Sequence, residues 1–266
     1  MSRRSWKAAL DAPMFESLRP LLSRLPSGRY PEHDDLNALA ARAASGGGAP
    51  IRFVPPPPVA QPAARYETRI FETGEVPTRP GSWHDLFNAL VWLAFPETKA
   101  VINRRHRDEI VVRRGEPLRG TARDVLTLFD EGGVLVGSAD TRLSALLRDF
   151  RWKELFWARR AEVRRSMRFH VFGHAIYEKA LAPHRGVTAK ALILDLEPAQ
   201  LEAPTERRLA RLDSLAATYF CSAHALASTH SLSPLPILGI PGWEPANELE
   251  DYYDDVSQFR PRRIEA

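Results

Sequence analysis

The sequence predicts a helix-dominated α+β fold, a single body with a small sheet and an N-terminal helical arm. Three observations carry this expectation. Apolar residues recur at helical spacing over long stretches, as in Leu209, Leu212, Leu215, Ala216 and Tyr219. Strand-like patterns are short, as in Val134 to Val136 and Arg168 to Phe172. A chain of 266 residues that is 44% hydrophobic supplies a sizeable core, and its length allows one or two domains.

Residues 1–44 read as the helical arm. Trp6, Leu10, Phe15 and Leu18 recur at roughly helical spacing around an interruption at Pro13, and a second short helix is expected over Asp34 to Ala44, with Asp34 or Asp35 as N-cap. Residues 45–64, S-G-G-G-A-P-I-R-F-V-P-P-P-P-V-A-Q-P-A-A, read as a connector. Its three glycines make the first half flexible, and its four consecutive prolines impose an extended polyproline conformation. Ile51, Phe53 and Val54 are spaced to pin it to the body; a ligand for an SH3-type domain is a generic alternative. The main domain is then 65–266.

Within it, Tyr66 to Phe71 suggests a strand. A helix follows over His84 to Phe95, with Ser82 or Gly81 as N-cap and Asp85 in the first turn, where a carboxylate complements the helix dipole. Pro96 stops that helix and opens another, Glu97 to Arg107. Thr121 to Phe129 reads as helix, and Asp130-Glu131-Gly132-Gly133 as a turn into the strand Val134 to Val136. Asp140 to Arg165 reads as a long Arg-rich amphipathic region with Leu143, Leu146, Leu147 and Phe150 as its buried stripe. The strand Arg168 to Phe172, the helix His174 to Leu181 after Gly173, the strand Val187 to Leu196 and the helix Glu206 to Ser228 complete the series. The tail from Pro234 is rich in Pro and Gly yet apolar, so it is expected to wrap over the body as an ordered loop.

The net charge is +4, and 32 of the 37 basic residues are Arg. So mild a charge does not demand nucleic acid, and the Arg excess has a compositional reading beside a functional one. The single cysteine, Cys221, excludes an internal disulfide and a cysteine zinc cluster; it reads as a small core residue, with a nucleophile three residues before His224 as the alternative. The basic N-terminus has no apolar signal region after it, and the longest uncharged apolar run, Leu86 to Phe95, is far below a membrane span, so a soluble cytoplasmic protein is expected.

Candidate chemistry concentrates in Ser82 to His106, which places His, Asp and Asn in otherwise apolar sequence. Burying such groups unpaired costs about 1–3 kcal/mol each, so they form a hydrogen-bonded lock or line a site. On a helix, His84 and Asn88 share a face and Asp85 points elsewhere. Adjacent His-Asp is the ligand pair of HD-type phosphohydrolases, while the competing reading has both residues cap the helix. Asn103 and His106 lie on the next helix, which the break at Pro96 folds back if His106 is to approach His84. In G-H-A-I-Y-E-K, His174 and Glu178 stand one turn apart, the spacing that holds a cation from one side, and His170 is a third member if that helix starts earlier. Asp130 and Glu131 gain interest only if they converge on His84 or His174. Asp251, Asp254 and Asp255 read as partners for the Arg excess rather than as a Mg²⁺ or Mn²⁺ site. No nucleophile elbow, P-loop or Rossmann fingerprint is present.

The run W-H-D-L-F-N-A-L-V-W-L-A-F-P-E-T-K-A-V-I-N-R-R-H, with F-G-H-A-I-Y-E-K, W-K-E-L-F-W, P-L-P-I-L-G-I-P-G-W and the late Y-Y-D-D and F-R-P-R-R, resembles the bacterial domain of unknown function 3025 family over about residues 60–263. The resemblance implies a bacterial protein with a roughly single-domain body. It implies no activity and no site residues.

Two functional expectations result. The first is a metal-dependent hydrolase, with a phosphoester as the substrate considered. His84, Asp85, His106 and His174 would be ligands of a divalent metal ion, Asp85 would also be catalytic, and Glu178 would be the general base or a fifth ligand. It fails if His84 and His174 lie more than about 10 Å apart. The second is a non-enzymatic protein that binds nucleic acid or another anionic partner through the Arg-rich helix.

Overall fold

A computed structural model of the chain describes residues 10–59, 62–112, 120–222 and 224–262. Trp6 and the rest of 1–9, part of the connector, and the G-E-P-L-R stretch after Arg114 lie outside the described residues. The fold is helix-dominated α+β, with an N-terminal helical segment and small sheets of two and four strands.

The N-terminal segment forms a 3-10 turn, Pro13–Leu18, and a short helix, Arg19–Leu22, with Pro at the first helical positions. Met14, Phe15 and Leu18 are buried in the main core, so this segment is integral to the body. The next helix is only His33–Asn37, closed by a capping box between Glu32 and Asp35. The expected run to Ala44 ends early because the Asn37 side chain turns to the backbone of Phe53, accepting from its N–H and donating to its carbonyl.

The described part of the connector packs against the body. The Gly46 N–H donates to Asn103, and Arg104 donates to the Gly46 carbonyl. Arg52–Val54 forms β1, which pairs in parallel with β2, Glu75–Pro77. Between them lies α1, Ala63–Thr73, where a strand is expected from Tyr66. A short apolar run fits both periods, and here the 3.6-residue period wins, placing Tyr66, Glu67 and Ile70 on one face. Gly74 ends α1 at φ 71°, a left-handed conformation that favours glycine.

Helix α2, Trp83–Ala94, starts at Ser82, whose hydroxyl accepts from the Asp85 N–H. Pro96 opens α3, Pro96–Val112. Its first free N–H groups, on Glu97 and Thr98, donate to the Asp213 carboxylate at 2.9 Å each, a cap supplied by a helix distant in sequence. Helix α4, Thr121–Gly132, runs through Asp130 and Glu131, which the sequence suggests as a turn. Strand β3, Gly133–Ser138, follows directly and is buried along its whole length.

The Arg-rich region is not one helix. Asp140 caps α5, Thr141–Arg148, and Phe150 then adopts φ 57°, which breaks the chain direction. The break lets Phe150 stack on Trp152 at 5.4 Å and Trp152 on Phe156 at 6.1 Å. A π-helical turn, Glu154–Ala158, leads into α6, Arg160–Ser166.

Strand β4 is Met167–Val171, α7 is His174–Ala180, β5 is Thr188–Asp195, α8 is Thr205–Cys221 and β6 is Ser233–Pro236. The larger sheet has the order β4-β3-β5-β6, with β3 and β5 parallel and both outer pairs antiparallel. The tail is ordered in short 3-10 turns: Tyr253 donates to the Gly239 carbonyl, and Asn247 donates to Leu238 and Ile240. Cys221 is exposed at the end of α8 and is not the core residue expected. Among the described residues, no helix is long and apolar enough to cross a membrane.

Candidate functional site

Helices α1 to α4 surround a cavity of about 660 Å³, within the size range of small-molecule sites. Each helix contributes one helical stripe. Tyr66, Glu67 and Ile70 come from α1, and His84, Asp85, Asn88 and Trp92 from α2. Lys99, Ile102, Asn103 and His106 come from α3, and Arg123, Thr127, Asp130 and Glu131 from α4. Side chains three, four and seven positions apart lie on one helix face, so four such stripes close a common space.

Helix α7 adds His174 to this wall, packing against both α2 and α4. Its placement begins at Gly173. A Cβ there would meet the Glu131 carbonyl oxygen at 2.3 Å and the Gly133 nitrogen at 2.5 Å. Only glycine lets the chain pass this close to the end of α4. The Phe172 and Gly173 N–H groups both donate to the Gly133 carbonyl, and His174 follows as the first residue of α7.

The result is a chain of polar groups, hydrogen-bonded except between His174 and Asp130. The Nε2 atoms of His84 and His174 lie 3.1 Å apart, with the rings edge-on. His84 Nδ1 is 3.1 Å from Glu178 Oε2, and His174 Nδ1 faces Asp130 Oδ2 at 3.7 Å, beyond hydrogen-bond reach. Lys99 Nζ donates to Asp130 Oδ1 at 2.6 Å and to Asn88 Oδ1 at 3.0 Å. The Asn88 amide donates in turn to the Tyr66 hydroxyl. His84 and Glu178 stand at the solvent side with side chains 40% and 49% exposed, whereas His174 is 8% exposed.

Charge states follow from this packing. Burial works to raise the Asp130 carboxyl, but Lys99, with His174 and His106, overrides it and holds the group below the usual carboxylate range. Burial pulls His174 down to about 4 against the attraction of Asp130, so its imidazole is neutral at neutral pH. A carboxylate only accepts, so His84 presents an N–H to Glu178. Across the Nε2···Nε2 contact one imidazole can donate to the other, and His174 Nδ1 lies towards the Asp130 carboxylate. That nitrogen is buried and unpartnered. A cation between the Nε2 atoms would leave each ring's Nδ1–H turned to the carboxylate it faces.

Of the residues singled out from the sequence, His84, His174 and Glu178 come together. Asp85 does not join them. Its two oxygens accept from the Arg79 guanidinium and from the Arg79 backbone N–H, and Arg79 overcomes burial to keep the carboxyl below its usual range. Its role is to lock the turn before α2. His106 lines the same cavity, buried, with Nδ1 unpartnered. His170 is on β4, away from Glu178, bound by Ser17 and Arg208. Burial pulls it down to about 3, and it ties the N-terminal segment to α8. Among the described residues, no group of three or more His, Cys, Asp or Glu side chains is gathered to hold a metal ion.

Lys99 and Tyr66 are the site members that sequence reasoning missed, whereas Asn88 was singled out beside His84. Lys99 had a usable signal, being a lone cation on the apolar stripe it shares with Ile102 and His106. The stripe of basic residues over 142–168 is largely matched by acids: Arg151 pairs with Glu154, Arg159 with Glu162, Lys153 with Glu250 and Asp254, and Arg160 and Arg164 with Glu248.

The family described as Protein of unknown function (DUF3025) matches residues 51–263. Among curated proteins and among solved structures, no match to the chain was found.

Proposed function

The chain belongs to the DUF3025 family, and since that membership assigns no chemistry, we propose from the cavity itself that the protein is a hydrolase of small molecules in which His84 and His174 are the acid–base pair. The observation that carries this reading is the 3.1 Å approach of the two Nε2 atoms on a cavity wall, with a carboxylate facing each Nδ1. A water held at the pair gives its proton to an imidazole as its oxygen attacks the substrate's electrophilic centre, and that proton passes on to the leaving group. Such catalysis contributes about 10²–10⁴-fold. Asp130 orients His174, and Lys99 keeps Asp130 ionised.

A divalent cation between the Nε2 atoms is the second reading. The facing nitrogens favour it, since ligand histidines commonly turn the other ring nitrogen to a carboxylate. The small ligand set weighs against it, because catalytic zinc takes three protein ligands and Arg79 already occupies Asp85.

One experiment tests both. The purified chain is screened for hydrolysis of small esters, amides and phosphoesters before and after chelation, with elemental analysis and a His84→Ala/His174→Ala control. Activity that survives chelation and disappears in the control supports the acid–base pair. Near-stoichiometric metal that is lost in the control supports the cation. Loss of neither activity nor metal in the control removes both.

A further inference from the structure

Among the described lining residues three basic side chains stand against four carboxylates, a formal balance of −1 with histidines counted as neutral. None of the three cations is idle. Arg79 is bound to both oxygens of Asp85, Lys99 is buried against Asp130 and Asn88, and Arg123 also has a partner. Among the described lining residues, the excess lies with the acids: the Glu67 carboxylate is held only by the Asn103 amide and backs onto no cation. A phosphoester would bring at least one negative charge into a space where Arg79 and Lys99 are already paired with carboxylates and the described charges sum to a negative balance. Buried or half-buried charges are weakly screened, so that mismatch is felt in full.

Part of the remaining wall is apolar. Ile70, Trp92 and Ile102 are each almost fully buried yet border the cavity, and Tyr66 adds an aromatic face. Pockets of this size with apolar walls and a few placed polar groups suit a compact amphiphile. We infer that the ligand of this cavity is a small amphiphile without negative charge, neutral or cationic, whose apolar body lies against Trp92, Ile70 and Ile102 and whose polar end faces the His84–His174 pair and Glu67. For the hydrolase read above, on which the assignment of a substrate rests, this names a neutral or amine-bearing carboxylic ester or amide and not a phosphoester.

The test is binding to the full chain after chelation, by calorimetry and saturation-transfer NMR, of three ligands matched in their ring: N-propylbenzamide, benzyltrimethylammonium and phenyl phosphate. Wild type is expected to bind the first two at least tenfold more tightly than phenyl phosphate. Glu67→Gln is expected to weaken the ammonium ligand several-fold and the amide by less. Phenyl phosphate binding as tightly as the amide, or no binding of the amide and the ammonium up to millimolar concentration, overturns the inference. Amide binding that responds as expected, in a chain that hydrolyses no ester or amide, overturns the hydrolase reading alone.

Discussion

His84 and His174 are separated by 90 residues, yet their Nε2 atoms lie 3.1 Å apart. The contact joins an exposed imidazole on α2 to a buried one at the start of α7. It closes a chain of polar groups running from Glu178 at the surface to Tyr66 inside the cavity.

If this pair performs the chemistry, His84→Ala and His174→Ala each lower turnover about 10²-fold or more. Asp85→Asn has a much smaller effect on turnover, because Asp85 is occupied by Arg79 and supports only the turn before α2. Steady-state kinetics on a hydrolysed ester or amide, with circular dichroism to confirm folding, compares the three. A loss in Asp85→Asn as large as in His84→Ala would return Asp85 to the catalytic set.

Lys99 and Asp130 form a buried pair, with side chains 5% and 19% exposed. Lys99→Met leaves the carboxylate without its cation and is expected to cost about 3–5 kcal/mol, the usual penalty for removing one partner of a buried pair. Adding Asp130→Asn in the same chain recovers part of that loss. Urea unfolding of the single and double variants measures both, and an unchanged midpoint in Lys99→Met contradicts the pairing.

Acid destabilises the fold below about pH 6.5. His170 and His174 fall from 6.5 in the unfolded chain to about 3 and about 4 in the fold. Below about pH 6.5 the unfolded chain therefore binds protons that the native state refuses, and stability falls as pH falls. Asp213, raised from 3.8 to about 6 by burial, acts in the opposite sense, since the native state holds its proton between those values. Two groups outweigh one, so the urea midpoint is lower at pH 5 than at pH 7. Asp213→Asn removes the opposing contribution and steepens the fall.

Gly74 has φ 71°, and a Cβ there would lie 2.1 Å from the Pro50 carbonyl oxygen. Gly74→Ala is expected to destabilise the chain by about 1–3 kcal/mol, the cost of a strained backbone. Gly28, where a Cβ would have nothing within 4 Å, serves as the control, and Gly28→Ala changes stability by less than about 0.5 kcal/mol. Thermal unfolding of the two variants separates them.

Local chemistry was legible where one residue dominates its neighbourhood. Ser82 before an apolar run marks the start of α2, Pro96 divides α2 from α3, and Gly173 precedes α7. Reading failed where two periods fit one short run, as at Tyr66 to Phe71, and where distant side chains intervene, as when Asn37 leaves its helix to bind Phe53. The long Arg-rich helix failed for a third reason. Its periodicity is real, but the stacking of Phe150, Trp152 and Phe156 requires a break that no local propensity announces.

The order of residues was enough for the helix-dominated class and the resemblance to a family, and it singled out His84, His174 and Glu178, which the fold brings together, with Asn88 on the helix of His84. Helical periodicity reveals which residues share a face, and so it paired His174 with Glu178 and placed His84 one turn from Asn88. It does not reveal which faces meet. Packing in three dimensions settled that α7 docks between α2 and α4, that Asp130 and Lys99 stand behind His174, and that Arg79 withdraws Asp85. Those contacts depend on close backbone approach at Gly173 and on burial that makes each unpaired charge costly, quantities that exist only once the helices have packed.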